Sequence, residues 1–176
     1  MVTLNQSLQS TSHHSLLVRK AAHHGLVDIE SLIHVAVSRG CRHYENTVEA
    51  RNVRDPGREN LSDDELVVLL IHGNYRYEPM AIRCAAQLLK SERIDTRKVA
   101  FLSIRERCET ALHYIAAQAV KHDLESPDHW SEILDALGDR WGEPLEAVLP
   151  HVSRFMNDPG IYRGVKQTPK WIQPHE

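Results

Sequence analysis

Cysteine, glycine, proline and aromatic residues are all scarce in this chain of 176 residues. Its three cysteines, Cys41, Cys84 and Cys108, are odd in number and irregularly spaced, and no CxxC occurs. Neither a disulfide framework nor a thiolate zinc site is indicated, and reduced thiols in the cytoplasm are the simple reading. Eight glycines and eight prolines exclude a collagen-like or low-complexity chain and argue against a glycine-punctuated β-sandwich. No apolar run approaches the roughly 18 residues that span a bilayer; the longest, 66–71, has the length of a buried helix segment. Positive charge is not in excess either. Lys+Arg 21 against Asp+Glu 24 gives a net charge of -3, so neither nucleic acid nor a membrane is expected as a partner. There is no GxGxxG, no phosphate loop with GK[ST] and no GxSxG elbow. Residues 1–12 lack the basic and apolar regions of a secretory signal, so residues 1–14 read as a polar, frayed arm.

What the chain does have is helical periodicity. Hydrophobic residues make up 41% and charged residues 26%, the balance of a folded domain. Leu16, Leu17, Ala21 and Ala22 recur at helical spacing before Gly25, and Asp28 caps a second apolar segment that ends near Gly40. Residues 41–61 hold no sustained period and contain Pro56-Gly57, so they read as a long loop or a partly ordered excursion. In that region Arg39, Arg42, Arg51, Arg54 and Arg58 interleave with Glu45, Glu49, Asp55 and Glu59, a self-neutralising pattern. Ser62-Asp63-Asp64-Glu65 is a capping box. Pro79 fits a first helical position, Asp95 caps the next helix, and another is expected over 109–122. Ser126-Pro127 starts a stripe of Trp130, Ile133, Leu134 and Leu137 ending at Gly138. Glu143-Pro144 opens a last helix, kinked at Pro150 and ended by Asp158-Pro159-Gly160. The predicted organisation is one all-α domain over 15–159, with hairpins at about 62–92, 95–123 and 126–157, and an extended tail over 160–176 that docks through its aromatics Tyr162 and Trp171 or stays loose.

Laid on itself 31 residues later, the segment from Leu66 pairs Val68 with Val99, Arg76 with Arg107, Glu78 with Glu109, Ala85-Ala86-Gln87 with Ala116-Ala117-Gln118, and Lys90 with Lys121. Both copies read as helix, turn, helix, with small residues at the same place on the second helix, where close packing of axes needs them. Antiparallel hairpins of this length resemble HEAT-like α-solenoid repeats, which implies a short stack; the alternative is an irregular helical bundle.

Twelve histidines are the compositional excess. No pair lies three or four residues apart on a helix with the HExxH pattern, and the doublets His13-His14 and His23-His24 point their rings about a hundred degrees apart. His122-Asp123 is similar to the HD element of the all-α metal-dependent phosphohydrolases. That resemblance implies a metal held by His122 and Asp123 with an upstream histidine, for which His72 stands available, and a later aspartate such as Asp158. Lys121 departs from the apolar residue usual before the dipeptide. The leading expectation is therefore no cofactor and no catalytic residue.

A stack would align its second helices into one wall. Arg83, Gln87 and Lys90 share a helix face, and the 31-residue register sets Tyr114, Gln118 and Lys121 beside them. With Tyr75, Arg76 and Tyr77 in the preceding turn, this ladder is the expected binding surface for another protein or peptide, self-association included.

Overall fold

Five of the seven described α-helices begin where a side chain accepts from their free amides. The computed structural model describes residues 15–47, 53–73, 78–138 and 149–175. Helix α1 (Leu16–His23) starts at Ser15, whose hydroxyl accepts from the Val18 amide. Helix α2 (Ile29–Ser38) has a reciprocal cap between Asp28 and Ser31. Ser62 and Glu65 close the expected capping box at the start of α3 (Asp63–Leu70). Helix α4 (Pro79–Leu88) has proline at its first position, and α5 (Thr96–Arg105) is capped by Asp95, whose carboxylate accepts from Arg97 and Lys98. Helix α6 (Glu109–His122) starts without a side-chain cap, and α7 (Pro127–Leu137) opens on Pro127 and stops at Gly138. The described residues are mostly helical, with these seven helices and little strand, which makes the class all-α.

Helix α3 lies at the centre. Leu66, Val67, Val68, Leu69 and Leu70 are all buried, so it is apolar on every side and needs neighbours all round. It packs against α1, α2, α4 and α5. The first members of successive helix pairs touch in the order α1, α3, α5, α7, and α2 touches α4. Helix α6 rests on α5, α7 and the C-terminal segment. Polar links tie the first series together near its helix starts: Lys20 to Glu65 at 2.7 Å, Lys98 to Asp64 at 2.9 Å, and the Thr96 hydroxyl to Glu132 at 3.2 Å.

Two regions depart from open loop and continuous helix. Where it is described, the 41–61 segment is partly ordered. It contains a 3-10 helix (Arg42–Thr47), and residues 53–61 are fixed by Arg39, whose buried guanidinium bonds both Asp55 oxygens, the Leu61 carbonyl and Asp63. Burial alone would push the Asp55 carboxyl up. Hydrogen bonds from Arg39 and the Gly57 amide outweigh it and hold Asp55 below the ordinary carboxylate value.

The second difference is at the end of the third expected hairpin. Residues 1–14 and 139–148, with the first part of the last expected helix, lie outside the described residues. Residues 149–157 are not α-helical: Pro150 lacks an amide donor, its carbonyl accepts from Tyr114, and a 3-10 turn (Val152–Arg154) leads into strand β1 (Met156–Asn157). Strand β1 pairs antiparallel with β4 (Lys170–Trp171), and between them β2 (Ile161–Tyr162) pairs with β3 (Val165–Lys166). The tail is thus an arch with an anchored base and a hairpin tip.

Candidate functional site

The wall expected to bind a partner is occupied by the chain's own C-terminal segment. Trp171 is buried on it, with its ring centroid 5.2 Å from that of Trp130 and 5.3 Å from that of Phe155. Its indole Nε1 donates to the Ala86 carbonyl at 2.9 Å, one of the last carbonyls of α4, which a helix leaves without an internal donor. The Ile172 amide donates to Phe155, and the His175 amide to Gly40 at 2.9 Å. Gly40 has φ of +119°, and a Cβ there would stand 2.5 Å from the His175 carbonyl oxygen, so this crossing requires glycine. The segment thereby runs from α6 past α4 to the end of α2.

This arrangement corrects the expected ladder. Gln87 is buried, and its Nε2 donates 2.7 Å to the Gln173 carbonyl and reaches Gly40 at 3.5 Å. Lys90 turns to Asp123. Its side chain is 4% exposed and its ammonium lies 2.6 and 2.7 Å from the two Asp123 oxygens. Tyr114 is buried, donates to Pro150 at 3.0 Å and meets Phe155 edge to face. Arg83 is half-buried, with its guanidinium 5.6 Å from the Tyr44 ring centroid. Gln118 is half-buried and Lys121 exposed. Tyr75, Arg76 and Tyr77 lie outside the described residues. A periodicity cannot tell water from a tail folded back over a helix face.

Of the HD pair, Asp123 is spent on structure. Asp123 accepts from Lys90, from the Trp130 indole at 2.7 Å and from the Glu125 amide, while His122 is exposed. His72 lies elsewhere, buried with Nε2 3.5 Å from Glu106, a carboxylate that also accepts from Ser15 and Arg105. Burial pushes the His72 imidazole below its ordinary value, and Glu106 offsets only part of this. Among the described residues, no group of three or more His, Cys, Asp or Glu is placed to hold a metal ion. The three cysteines are buried, and burial raises the Cys108 thiol well above its ordinary value, the state of a packing residue and not of a nucleophile.

The exposed end of the arch is the feature that sequence reading missed. Arg163 and Gly164 both have positive φ, 50° and 78°, the two-residue turn that matches strand twist, and the Gln167 amide closes the hairpin on Gly160 at 2.9 Å. Ile161, Tyr162 and Val165 are 73%, 62% and 64% exposed, and the Arg163 guanidinium covers the Tyr162 ring at 5.3 Å. Apolar residues flanking Arg163-Gly164 were the available signal; it is faint because arginine is an unusual first residue for such a turn. Compared with known proteins, the chain matches no family model, no curated protein and no solved structure.

Proposed function

We propose that this protein is a non-catalytic interaction module, a short HEAT-like stack of helical hairpins that acts as a rigid frame for presenting its C-terminal finger, residues 156–171, to another protein. The α1, α3, α5, α7 packing order supports the stacked reading. So does the match of α3 and α4 to α5 and α6 at the 31-residue offset. Three buried, unpaired thiols support placement in the cytoplasm.

The observation that carries the proposal is the contrast within the finger. Its base is fixed by Phe155 and Trp171 in the aromatic cluster, whereas its tip leaves Ile161, Tyr162 and Val165 in water. Tyrosine and arginine on a pre-ordered support are residue types that carry binding energy, because little conformational freedom remains to be lost on contact. Arg83, Gln118 and Lys121 border the same wall as secondary contacts.

The test is a triple substitution, Ile161→Ser with Tyr162→Ser and Val165→Ser, in full-length protein used as bait in its native host's lysate. These side chains are exposed, so circular dichroism and melting temperature should stay near wild type. Capture of specific partners should fall at least tenfold. A variant that retains its partners at wild-type yield would overturn the proposal.

A further inference from the structure

We propose that the finger of one copy docks into the groove between α5 and α7 of a second copy, so that the protein assembles head to tail. This rests on the reading of the finger as an interaction element and names its partner. The groove has a volume of about 750 Å³. Its apolar part is Phe101 and Ile104, which lie three residues apart on the outer face of α5 and therefore side by side. Phe101 is 62% exposed, whereas Val99 and Leu102 on the inner face are buried. A phenylalanine so placed is an unpartnered anchor site among the described residues.

The two surfaces complement each other. Asp95, Glu132 and Asp135 line the groove against a single cation, Arg97, leaving it two charges negative. The finger tip carries Arg163 and Lys166, and no acidic residue occurs between Gly160 and Trp171. Apolar Ile161, Tyr162 and Val165 therefore meet apolar Phe101 and Ile104 inside a rim of opposite charge, which orients the encounter and disfavours the reverse pairing of finger with finger. Finger and groove are different patches of one molecule, so the contact is heterologous and continues into a chain or a closed ring, not a two-fold dimer.

Sedimentation velocity and light scattering on the full chain at increasing concentration test this. The expected result is a mass that climbs past that of a dimer and an affinity that falls about tenfold between low and high salt. A finger variant (Ile161→Ser, Tyr162→Ser) and a groove variant (Phe101→Ser, Ile104→Ser) should each be monomeric, with unchanged circular dichroism. Mixed in equal amounts they should form a one-to-one dimer and nothing larger, because only one intact finger and one intact groove can meet. A charge exchange avoids touching the apolar contacts: Glu132→Lys with Asp135→Lys should abolish assembly, and adding Arg163→Glu with Lys166→Glu should restore it. Wild type that stays monomeric at every concentration would overturn the proposal, as would a groove variant that assembles like wild type, or a mixture of the variants that stays monomeric. Any of these leaves the interaction module itself intact if the finger still captures a different protein from lysate, whereas loss of that capture reading alone leaves the self-contact standing.

Discussion

Asp123 shows how one side chain can look catalytic in sequence and be structural in space. Its two oxygens receive the Lys90 ammonium, the Trp130 indole and the Glu125 amide, with Lys90 itself almost wholly buried. Removing one partner of a buried pair leaves the other charge uncompensated, at a cost of about 3–5 kcal/mol. Asp123→Ala should therefore lower stability by that amount in urea unfolding, while His122→Ala, on an exposed side chain, should stay within about 0.5 kcal/mol of wild type. Equal and small effects would contradict the structural role. Histidine also gives the molecule an acid limit. Burial sets His72 and His113 below the ordinary 6.5, with Glu106 restoring part of the shift at His72. The unfolded chain then takes up these protons first as pH falls. Their contribution is complete above about pH 7 and is lost as pH drops through 6.5 towards the depressed folded values. Melting temperature should decline between pH 7 and 5, and His72→Gln should flatten that slope whatever it does to the plateau. Asp55 and Glu65, both held below their ordinary values, extend the decline at lower pH.

At the level of elements, helix starts were legible because they depend on residues within one turn. Ser62 with Glu65, Pro79, Asp95 and Pro127 act locally, and all four helices begin where these residues stand. Helix faces were less legible: Val99, Phe101, Leu102 and Ile104 form one apolar group in the sequence, yet Val99 and Leu102 are buried while Phe101 and Ile104 are exposed. What covers a face is a long-range fact. Gln87 meets Gln173, and Trp171 meets Ala86, contacts between segments more than eighty residues apart in sequence. No spacing rule reports these, so the expected polar ladder turned out to be a seat for the tail. Strands β1 to β4 were equally hidden. Each is two residues long, too short for alternation to show, and β1 and β4 persist because Phe155 and Trp171 are buried beside them, not because of strand propensity.

On the scale of the whole molecule, the same tail ties together helices far apart in the sequence. In a one-dimensional array each hairpin leans only on its neighbours, and the ends fray independently. Here residues 170–175 cross from α6 to Gly40 at the end of α2, so the last segment of the chain holds one of the first helices. Breaking that crossing should uncouple the N-terminal pair from the rest. Gly40→Ala does so directly, because the added Cβ would collide with the His175 backbone as well as strain a positive φ. Gly25→Ala is the control: φ is also positive there, at +80°, but nothing lies within 4 Å of its Cβ. In native-state hydrogen exchange, Gly40→Ala should speed exchange together in α1, α2 and residues 170–175, and should separate the unfolding transitions seen by circular dichroism and tryptophan fluorescence. Gly25→Ala should lower stability without altering protection of the tail. If both variants leave tail protection at the wild-type level, the strap does not couple the two ends.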